Sequence, residues 1–202
     1  MNIAVLASHE GTTLQAILDA CRDGRIAARV ALVISNNADS GALRRARIAG
    51  SEARHLSGRL HPDAQELDRI LCGVLVEHRI DLVMLAGYMK RLGPLTLARF
   101  RGRIFNTHPA LLPKFGGAGM YGMNVHRAVL AAGERTSGAT VHLVDEGYDS
   151  GPVVAQVRVS VEKDDTPETL AARVQQAERA LVTDVLAAAA SGAMPLPYSP
   201  RS

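Results

Sequence analysis

Hydrophobic positions in the first half of the chain fall into short continuous runs separated by longer amphipathic segments. The apolar runs are Asn2–Ala7, Arg29–Ser35 and Asp81–Ala86. Because polar residues do not alternate with apolar ones in them, these runs predict strands buried on both faces, as in a parallel sheet. The segments with helical spacing of apolar residues are Thr13–Asp23, Ser40–Ala49 and His61–Arg79. This order predicts a doubly wound α/β fold, with helices on both faces of a mainly parallel sheet.

The second half of the chain carries further strands, a glycine-rich loop and a long helix. The loop at 112–123 contains four glycines, which predicts a long, mobile connection. Strands are predicted at Arg103–Thr107, Ala139–Val144 and Val153–Val161, and helices at Val125–Ala132 and Pro167–Ala190. Because no linker divides the chain, we expect a single domain over residues 1–190. Three prolines close to the end predict that residues 191–202 form a surface tail.

Composition excludes several classes of protein. Of the 202 residues, 47% are hydrophobic and 21% are charged, which is the balance of a globular domain and not of a disordered chain. The apolar runs are shorter than the roughly 18–20 residues of a membrane helix, and the first one lacks the basic residues that precede a signal peptide core. Cys21 and Cys72 lie in helix-like segments without metal-ligand spacing, which predicts reduced thiols. We therefore expect a cytoplasmic protein without a membrane partner.

Charge and aromatic content narrow the class of ligand. The formal net charge is +3 with basic residues spread along the chain, aromatic residues are only 3%, and tryptophan is absent. Single-stranded nucleic acid needs aromatic stacking platforms, and duplexes need a one-sided basic surface, so we expect no nucleic-acid partner. A small anionic substrate, such as a phosphorylated one, fits the mild positive field better.

The first predicted strand runs directly into a helix through the sequence SHEGTT at residues 8–13. Backbone N–H groups at such a turn, next to the positive end of a helix dipole, favour the binding of phosphate. The alternative is an ordinary helix start that Thr12 or Thr13 caps. The Glu10 carboxylate would repel a phosphate unless it points away from the site.

Two polar residues end the predicted strand in the middle of the chain. Asn106 and His108 are two positions apart, so their side chains emerge on the same side of an extended strand. An amide donor beside an imidazole suits the stabilisation of an oxyanion and the transfer of a proton in acyl transfer. The alternative is a polar strand end whose histidine is satisfied by neighbouring groups.

An acidic turn follows the strand that ends near His142. A carboxylate held there by the adjacent glycines can raise the pKa of His108 and fix its tautomer, if it faces the imidazole. Asp149 lies between two glycines, and Asp145 and Glu146 compete with it for this role. The alternative is that all three are solvated turn residues.

These segments together resemble the folate-dependent formyltransferases. The motif Asn-x-His-Pro-x-Leu-Leu-Pro occupies residues 106–113, and Ser-Gly-x-Thr-Val-His with a following Asp-x-Gly turn occupies residues 137–147. Residues 85–92 are similar to the family's folate-side strand end, and residues 173–178 to its late substrate-facing helix. The resemblance extends to about residue 186, is greatest for the short single-domain members of purine synthesis, and implies a Rossmann-like formyltransferase fold.

The resemblance implies a reaction as well as a fold. The formyl group of 10-formyltetrahydrofolate, the co-substrate, would be transferred to the primary amine of phosphoribosylglycinamide in purine biosynthesis. Asn106 and His108 would donate hydrogen bonds to the tetrahedral oxyanion, and His108 would assist proton transfer to the departing folate nitrogen. Asp149 would hold His108 and raise its pKa. No metal is expected, because the formyl carbon is already electrophilic.

The resemblance also implies binding roles for residues around this catalytic trio. The substrate phosphate would lie on Gly11, Thr12 and Thr13, and the ribose hydroxyls on Glu178 with Gln175. Gly87 and Pro109 are placed on the same substrate side. The folate-binding residues would be Met89, Lys90, Arg91, Leu92 and Val144, and the turn at residues 144–149 would form one side of the folate cleft.

Two segments depart from the family's pattern. The phosphate loop usually reads Ser-Gly-x-Gly-Ser/Thr-Asn, whereas here His9 replaces the first glycine and Thr13 the final asparagine. Residues 114–122 replace a shorter Lys-Tyr-Pro-Gly loop and resemble a Gly-Met-Tyr-Gly variant of it. We expect this loop to be mobile and to become more ordered when ligands bind.

Two related reactions and one non-catalytic role are alternatives to this function. Relatives that formylate methionyl-tRNA carry an additional RNA-binding domain, and formyltetrahydrofolate hydrolases carry an amino-terminal regulatory domain, so the length of the chain argues against both. A non-catalytic ligand-binding module on the same fold is the alternative from a different class, since fold does not settle function. Retention of Asn106, His108 and Asp149 argues against it. We expect a monomer or homodimer that acts on small molecules.

Overall fold

This computed structural model describes residues 1–199 of the chain, in which strands and helices alternate until two strands follow each other before the last helix. The strands are β1 (Asn2–Leu6), β2 (Arg29–Ser35), β3 (Glu52–His55), β4 (Leu82–Leu85), β5 (Ile104–His108), β6 (Thr136–Leu143) and β7 (Val153–Ser160). The helices are α1 (Thr12–Arg22), α2 (Gly41–Ile48), α3 (Ala64–Glu77), α4 (Pro94–Arg99), α5 (Met123–Ala131) and α6 (Pro167–Ala190). None of the helices in this part of the chain combines the length and apolarity needed to cross a membrane.

The strands form one sheet in the order β3-β2-β1-β4-β5-β6-β7. Strands β1 to β5 pair in parallel, whereas β6 and β7 join as antiparallel strands. The predicted mainly parallel α/β sheet is therefore confirmed. Because the carboxyl ends of parallel strands share one edge, the loops after β1, β4 and β5 converge there, which is where open α/β sheets bind ligands.

Strand β1 shows why its apolar run is continuous. Ile3 and Val5 enter the core under α1, α2 and α6, while Ala4 and Leu6 enter the core under α3 on the opposite face. All four side chains are fully buried. A central strand covered on both faces has no solvent side, so the period-two alternation of a half-exposed strand disappears.

Several helix and strand limits differ from the sequence-based expectation. Helix α3 starts at Ala64 and not at His61, because the Asp63 carboxylate accepts hydrogen bonds from Gln65 N and Glu66 N and caps the helix. Strand β6 starts at Thr136, three residues earlier than predicted. Its first residues are small or polar, so they carry little hydrophobic signal.

Two short elements were not predicted from the sequence. Strand β3 (EARH) pairs only with β2 at the edge of the sheet and lacks an apolar pattern. Helix α4 has six residues and starts with a proline, and a side chain of another helix caps its amino end. The buried Asp68 carboxylate of α3 accepts hydrogen bonds from Leu95 N at 2.8 Å, Thr96 N at 3.2 Å and Thr96 Oγ1 at 2.5 Å.

Removing the carboxylate that holds α4 is expected to destabilise the fold. Asp68→Ala removes the side-chain acceptor of Leu95 N and Thr96 N and leaves the Thr96 hydroxyl only its longer contact with Asp68 O at 3.5 Å. This loss is expected to cost about 2 kcal/mol in the free energy of unfolding. Asp68→Asn keeps one acceptor oxygen and is expected to lose less. Urea unfolding of both variants measures this, and equal stabilities for wild type and Asp68→Ala would contradict the role of Asp68.

The segment after α6 packs against the body of the protein. Its alternate residues Met194, Leu196 and Tyr198 are half-buried against the α1–α6 side of the core. Tyr198 N donates to Gly102 O at 2.7 Å, and its ring stands edge-on to Phe105 with centroids 6.3 Å apart. The described part of the predicted surface tail is thus docked along the surface, and residues 200–202 of that prediction lie outside the described residues.

Candidate active site

A cavity of about 1070 Å³ opens at the carboxyl edge of the parallel strands. All of the site residues predicted from the sequence line it: Gly11, Thr12, Thr13, Gly87, Met89, Lys90, Arg91, Leu92, Asn106, His108, Pro109, Val144, Asp149, Gln175 and Glu178. They come from the segments that follow β1, β4, β5 and β6, from the start of α1 and from α6. A cleft of similar size between α1 and α2 contains none of them.

Asn106 is oriented by a histidine on the neighbouring strand. The antiparallel register of β5 and β6 places Asn106 opposite His142, and Asn106 Nδ2 lies 3.0 Å from His142 Nε2. His142 Nδ1 lies 2.8 Å from Leu143 O, which can only accept a hydrogen bond. In the neutral ring the proton is therefore on Nδ1, and Nε2 accepts from the Asn106 amide. His142 was not predicted as a site residue, although it sits in the quoted motif.

His108 is buried at the end of β5 with both ring nitrogens engaged. Its Nδ1 lies 3.4 Å from Asp149 Oδ2, and its Nε2 lies 2.6 Å from Phe115 O. Burial lowers the pKa of His108 from 6.5, while the Asp149 carboxylate and the Phe115 carbonyl act in the opposite direction. The expectation that Asp149 raises this pKa thus describes one contribution correctly, but desolvation outweighs it, and the net shift is downward.

Asp149 is the acidic turn residue that faces the histidines. Its backbone is left-handed, with φ of 53°, and its Oδ2 accepts a hydrogen bond from Gly117 N at 3.0 Å. Its Oδ1 lies 3.5 Å from His142 Nε2. Burial alone would raise the pKa of Asp149, but His142 and His108 in their protonated forms, together with the hydrogen bond from Gly117 N, hold it below its ordinary value. Asp149 is therefore a carboxylate at neutral pH.

The competing acidic residues have other contacts. Asp145 is exposed, and its Oδ1 accepts from Gly147 N at 3.0 Å and Ser150 Oγ at 2.8 Å, so it closes the turn. Glu146 is exposed, and its backbone carbonyl accepts from Arg91 Nη2. Of the three candidates, only Asp149 lies within salt-bridge distance of the histidines.

The glycine-rich loop contacts both members of the histidine–carboxylate pair. The Phe115 carbonyl meets His108, and the Gly117 N–H meets Asp149. Phe115 has a φ of 57°, a left-handed conformation that is uncommon for a residue with a side chain. The position of this loop therefore decides what His108 Nε2 can reach.

Ligand binding is expected to increase protection of residues 114–122 from hydrogen exchange. The loop carries several glycines beside the cavity and few apolar anchors, so it opens at low cost without ligand. Hydrogen exchange followed by mass spectrometry, with and without both ligands, measures this. Helix α3, on the far side of the sheet, is the internal control, and unchanged protection of the loop would contradict the expectation.

The opposite end of the cavity is suited to an anion. Gly11, with φ of 70°, is the N-cap of α1, and no side chain caps this helix. The alternative in which Thr12 or Thr13 caps the helix is therefore wrong. The N–H groups of the first turn remain available next to the positive end of the helix dipole, which is the arrangement that binds phosphate.

A carboxyl group stands beside this anion site. Glu178 of α6 accepts hydrogen bonds from Thr107 Oγ1 at 2.9 Å and Thr13 Oγ1 at 3.5 Å. Burial raises the pKa of Glu178, and the two hydroxyls oppose that rise. Gln175, one helical turn earlier, is exposed at the cavity rim. Such a pair can accept and donate hydrogen bonds to vicinal hydroxyls.

The third part of the cavity is a more apolar cleft between the loop after β4 and the turn after β6. Arg91 bridges its two sides: its guanidinium lies 5.1 Å from the centroid of the Tyr148 ring, and it donates to Glu146 O. Leu92 is buried, Val144 is half-buried and Met89 is 43% exposed. Tyr148 belongs to the turn at residues 144–149 that the resemblance assigns to the folate side, and the whole turn lines the cavity.

His126 is a further unpredicted residue of the cavity. It is 2% exposed, and its Nδ1 has no hydrogen-bond partner within residues 1–199. Burial and the nearby His108 lower its pKa. It lies in the amphipathic helix α5. A histidine adds nothing to the hydrophobic periodicity of a helix, so the sequence does not show that this position is buried in the cavity. In residues 1–199, no group of three or more histidine, cysteine or acidic residues is placed to hold a metal.

The arrangement of a half-buried amide, a histidine and a carboxylate beside an open cavity is that of an acyl-transfer site. Comparison with known proteins agrees with this class. The family model of the formyl transferases matches residues 1–186. The chain therefore belongs to the formyl transferase family.

Individual relatives are similar over most of the chain. Phosphoribosylglycinamide formyltransferase of Escherichia coli strain K12 is 38% identical over 192 residues, which cover 95% of this chain and 88% of that protein. The chloroplastic enzyme of the same name from Arabidopsis thaliana is 40% identical, and the match spans 92% of this chain but only 64% of that protein. The crystal structure of glycinamide ribonucleotide transformylase 1 from Symbiobacterium toebii superposes with a TM-score of 0.90 at 41% identity, covering 97% of this chain and 90% of that one.

Proposed function

We propose that this chain transfers the formyl group of 10-formyltetrahydrofolate to the amine of phosphoribosylglycinamide in purine biosynthesis. The observation that carries the proposal is one cavity with an uncapped helix end at one side, an apolar cleft at the other, and Asn106, His108 and Asp149 between them. A phosphorylated amine and a folate therefore have separate places that meet at the catalytic trio. The names of the relatives support the same acceptor.

Formyl transfer starts with attack of the acceptor amine on the formyl carbon. The carbonyl oxygen becomes a tetrahedral oxyanion, which needs donors that are already oriented. The Asn106 amide is held by His142, and the Nδ1 side of His108 is held by Asp149, so both side chains are already oriented. Both donate to the oxyanion in this mechanism.

Collapse of the intermediate breaks the bond between the formyl carbon and the folate nitrogen. The attacking amine loses one proton and the leaving nitrogen gains one, so the reaction is balanced when His108 relays that proton. Its ring nitrogen Nε2 lies against Phe115 O. Residues 114–122 must therefore move and break this contact before His108 can reach the intermediate. The Asp149 carboxylate stabilises the imidazolium that forms transiently.

Binding roles follow from the three parts of the cavity. Gly11, Thr12 and Thr13 hold the substrate phosphate with α1 N–H groups, and Glu178 with Gln175 binds the ribose hydroxyls. Gly87 and Pro109 line the acceptor side. The folate lies against Met89, Lys90, Arg91, Leu92 and Val144.

The proposal extends to the organisation of the protein. Residues 1–190 form one formyltransferase domain, supported by a core that joins α1, α2 and α6 to the sheet. Residues 191–202 are its tail, and the described part of that tail, residues 191–199, packs along the surface. The partners are two small molecules, without nucleic acid or membrane. The protein acts as a monomer or homodimer, in which a single chain carries all of the proposed site residues. A cytoplasmic location fits the free thiols of Cys21 and Cys72.

A two-substrate assay tests the proposal. The purified protein is mixed with 10-formyltetrahydrofolate, and deformylation is followed by absorbance with and without phosphoribosylglycinamide. We expect deformylation only when the acceptor is present. Deformylation without acceptor would favour a hydrolase, and no deformylation in either mixture would favour a non-catalytic binding module.

A further inference from the structure

Helix α2 packs directly against the back of the loop that joins β1 to α1. Ala42 N donates to His9 O at 3.1 Å. A Cβ atom on Gly11 would lie 2.8 Å from Ala42 Cα, and one on Gly41 would lie 2.7 Å from Glu10 O. Real Cβ atoms do not approach so closely, so this contact requires glycine at both positions. The loop at 9–11 is thus held against the first turn of α2.

Arg45 ties the same loop to α1. Its Nε donates to Glu10 O at 2.8 Å, and its Nη1 donates to Gln15 Oε1 at 2.9 Å. The rigid guanidinium therefore fixes the Glu10 peptide relative to the first turn of α1. The peptide that follows presents Gly11, whose left-handed backbone starts the uncapped helix.

The side chain of Glu10 is directed toward α2. Its Oε2 lies 3.6 Å from Arg44 Nη2, and the same oxygen is adjacent to Gly41 at the amino end of α2. A positive side chain and a helix amino terminus both favour a carboxylate at this place. Glu10 also lines the cavity, but these contacts turn its carboxylate toward α2.

We propose that Arg45 and Arg44 are positioning residues for the substrate phosphate. Arg45 holds the backbone of residues 9–11 in its anion-binding form, and Arg44 keeps the Glu10 carboxylate against α2 and compensates its charge. Neither residue is required to touch the phosphate. This inference rests on the proposed function and adds to it the residues that make an acidic phosphate loop compatible with an anionic substrate.

Arg45→Ala is expected to raise KM for phosphoribosylglycinamide about five- to tenfold, because a charge-assisted hydrogen bond to the loop is lost. The turnover number and KM for 10-formyltetrahydrofolate stay within about twofold of wild type. KM for glycinamide riboside, which lacks the phosphate, is expected to stay unchanged, and Arg45→Lys to recover part of the loss. Arg47→Ala, on the exposed side of α2, is the matched control.

A second pair of variants isolates the charge of Glu10. Arg44→Ala is expected to raise KM for phosphoribosylglycinamide about two- to fivefold, which is the scale of an exposed ion pair. Adding Glu10→Gln to Arg44→Ala is expected to restore KM, because the uncompensated carboxylate is gone. This comparison holds even where Arg45→Ala lowers the yield of folded protein.

Steady-state kinetics on all variants, with melting temperatures measured in parallel, tests whether Arg45 and Arg44 position the phosphate loop. A rise in KM confined to the phosphorylated acceptor and reversed by Glu10→Gln supports the inference. Unchanged KM values, or equal rises for both acceptors, overturn it while leaving the proposed function intact. Wild-type protein that transfers no formyl group to either acceptor overturns the proposed function and this inference with it.

Discussion

Asp149→Asn is expected to lower the turnover number by about a hundredfold to a thousandfold, the scale on which a single oriented oxyanion group contributes. The amide cannot supply the negative charge that opposes the burial of His108. The imidazolium that forms during proton transfer is then less stable, and the His108 donor is less well fixed. Because both effects act in the transition state, KM for the two substrates is expected to change little.

Asp145→Asn is the matched control for this variant. It keeps the oxygen that accepts from Gly147 N and Ser150 Oγ, and Asp145 is exposed and outside salt-bridge distance of the histidines. We expect a loss of only a few fold. Steady-state kinetics of both variants measures this, and equal losses would mean that Asp149 is not the carboxylate that acts on His108.

The pH profile provides a second readout of the same variant. Burial places the pKa of His108 below 6.5, and Asp149 limits that fall. Asp149→Asn is therefore expected to move the His108 limb of the kcat/KM profile to still lower pH. If the limb stays in place or moves to higher pH, the contact between Asp149 and His108 is not what raises the pKa of His108 against burial.

Replacing His108 is expected to separate its two roles. His108→Leu removes both hydrogen-bond donation and proton relay, so we expect a loss in turnover of about a thousandfold or more. His108→Gln keeps an N–H donor but cannot relay a proton, so its loss is expected to be smaller by about tenfold.

The comparison of these two variants is measured by single-turnover kinetics, which separates chemistry from product release. Circular dichroism and melting temperature check that the buried site still folds. Equal losses for His108→Leu and His108→Gln would show that donation to the oxyanion contributes little. A variant with near wild-type turnover would remove His108 from the mechanism.

Local pattern predicts the layers of this fold because burial on both faces of the sheet has a direct signature. The continuous run over β1 exists because Ile3 and Leu6 enter opposite cores. The sharing of one edge by the loops after β1 and β5 follows from parallel pairing alone. This is why Gly11 and Asn106, far apart in sequence, could be expected in one cavity.

Features that depend on contacts between distant segments could not be predicted from the local sequence pattern. Helix α4 is held by Asp68 of another helix, and β3 gains its stability from pairing with β2. The Glu10 carboxylate lies 3.6 Å from the guanidinium of Arg44, which is 34 positions later in the chain. No local pattern reports such pairings.

The net pKa shift of His108 shows the same limit in energetic terms. The sequence identifies a carboxylate that raises this pKa, but the opposing cost of burial depends on how completely the loop at 114–122 covers the ring. In the structure the imidazole is 3% exposed, and burial is the larger effect. Whether the pKa of His108 rises or falls therefore depends on the packed structure and does not follow from the residue types alone.

The most direct test of the account follows the formyl carbon itself. Wild-type protein is incubated with 10-formyltetrahydrofolate labelled with carbon-13 in the formyl group and with phosphoribosylglycinamide, and the products are identified by NMR and mass spectrometry. Direct formyl transfer predicts that the label appears as a formamide on the glycinamide nitrogen, in equal amount to the tetrahydrofolate released. Label recovered as free formate, or retained on the folate, would contradict direct formyl transfer by this site.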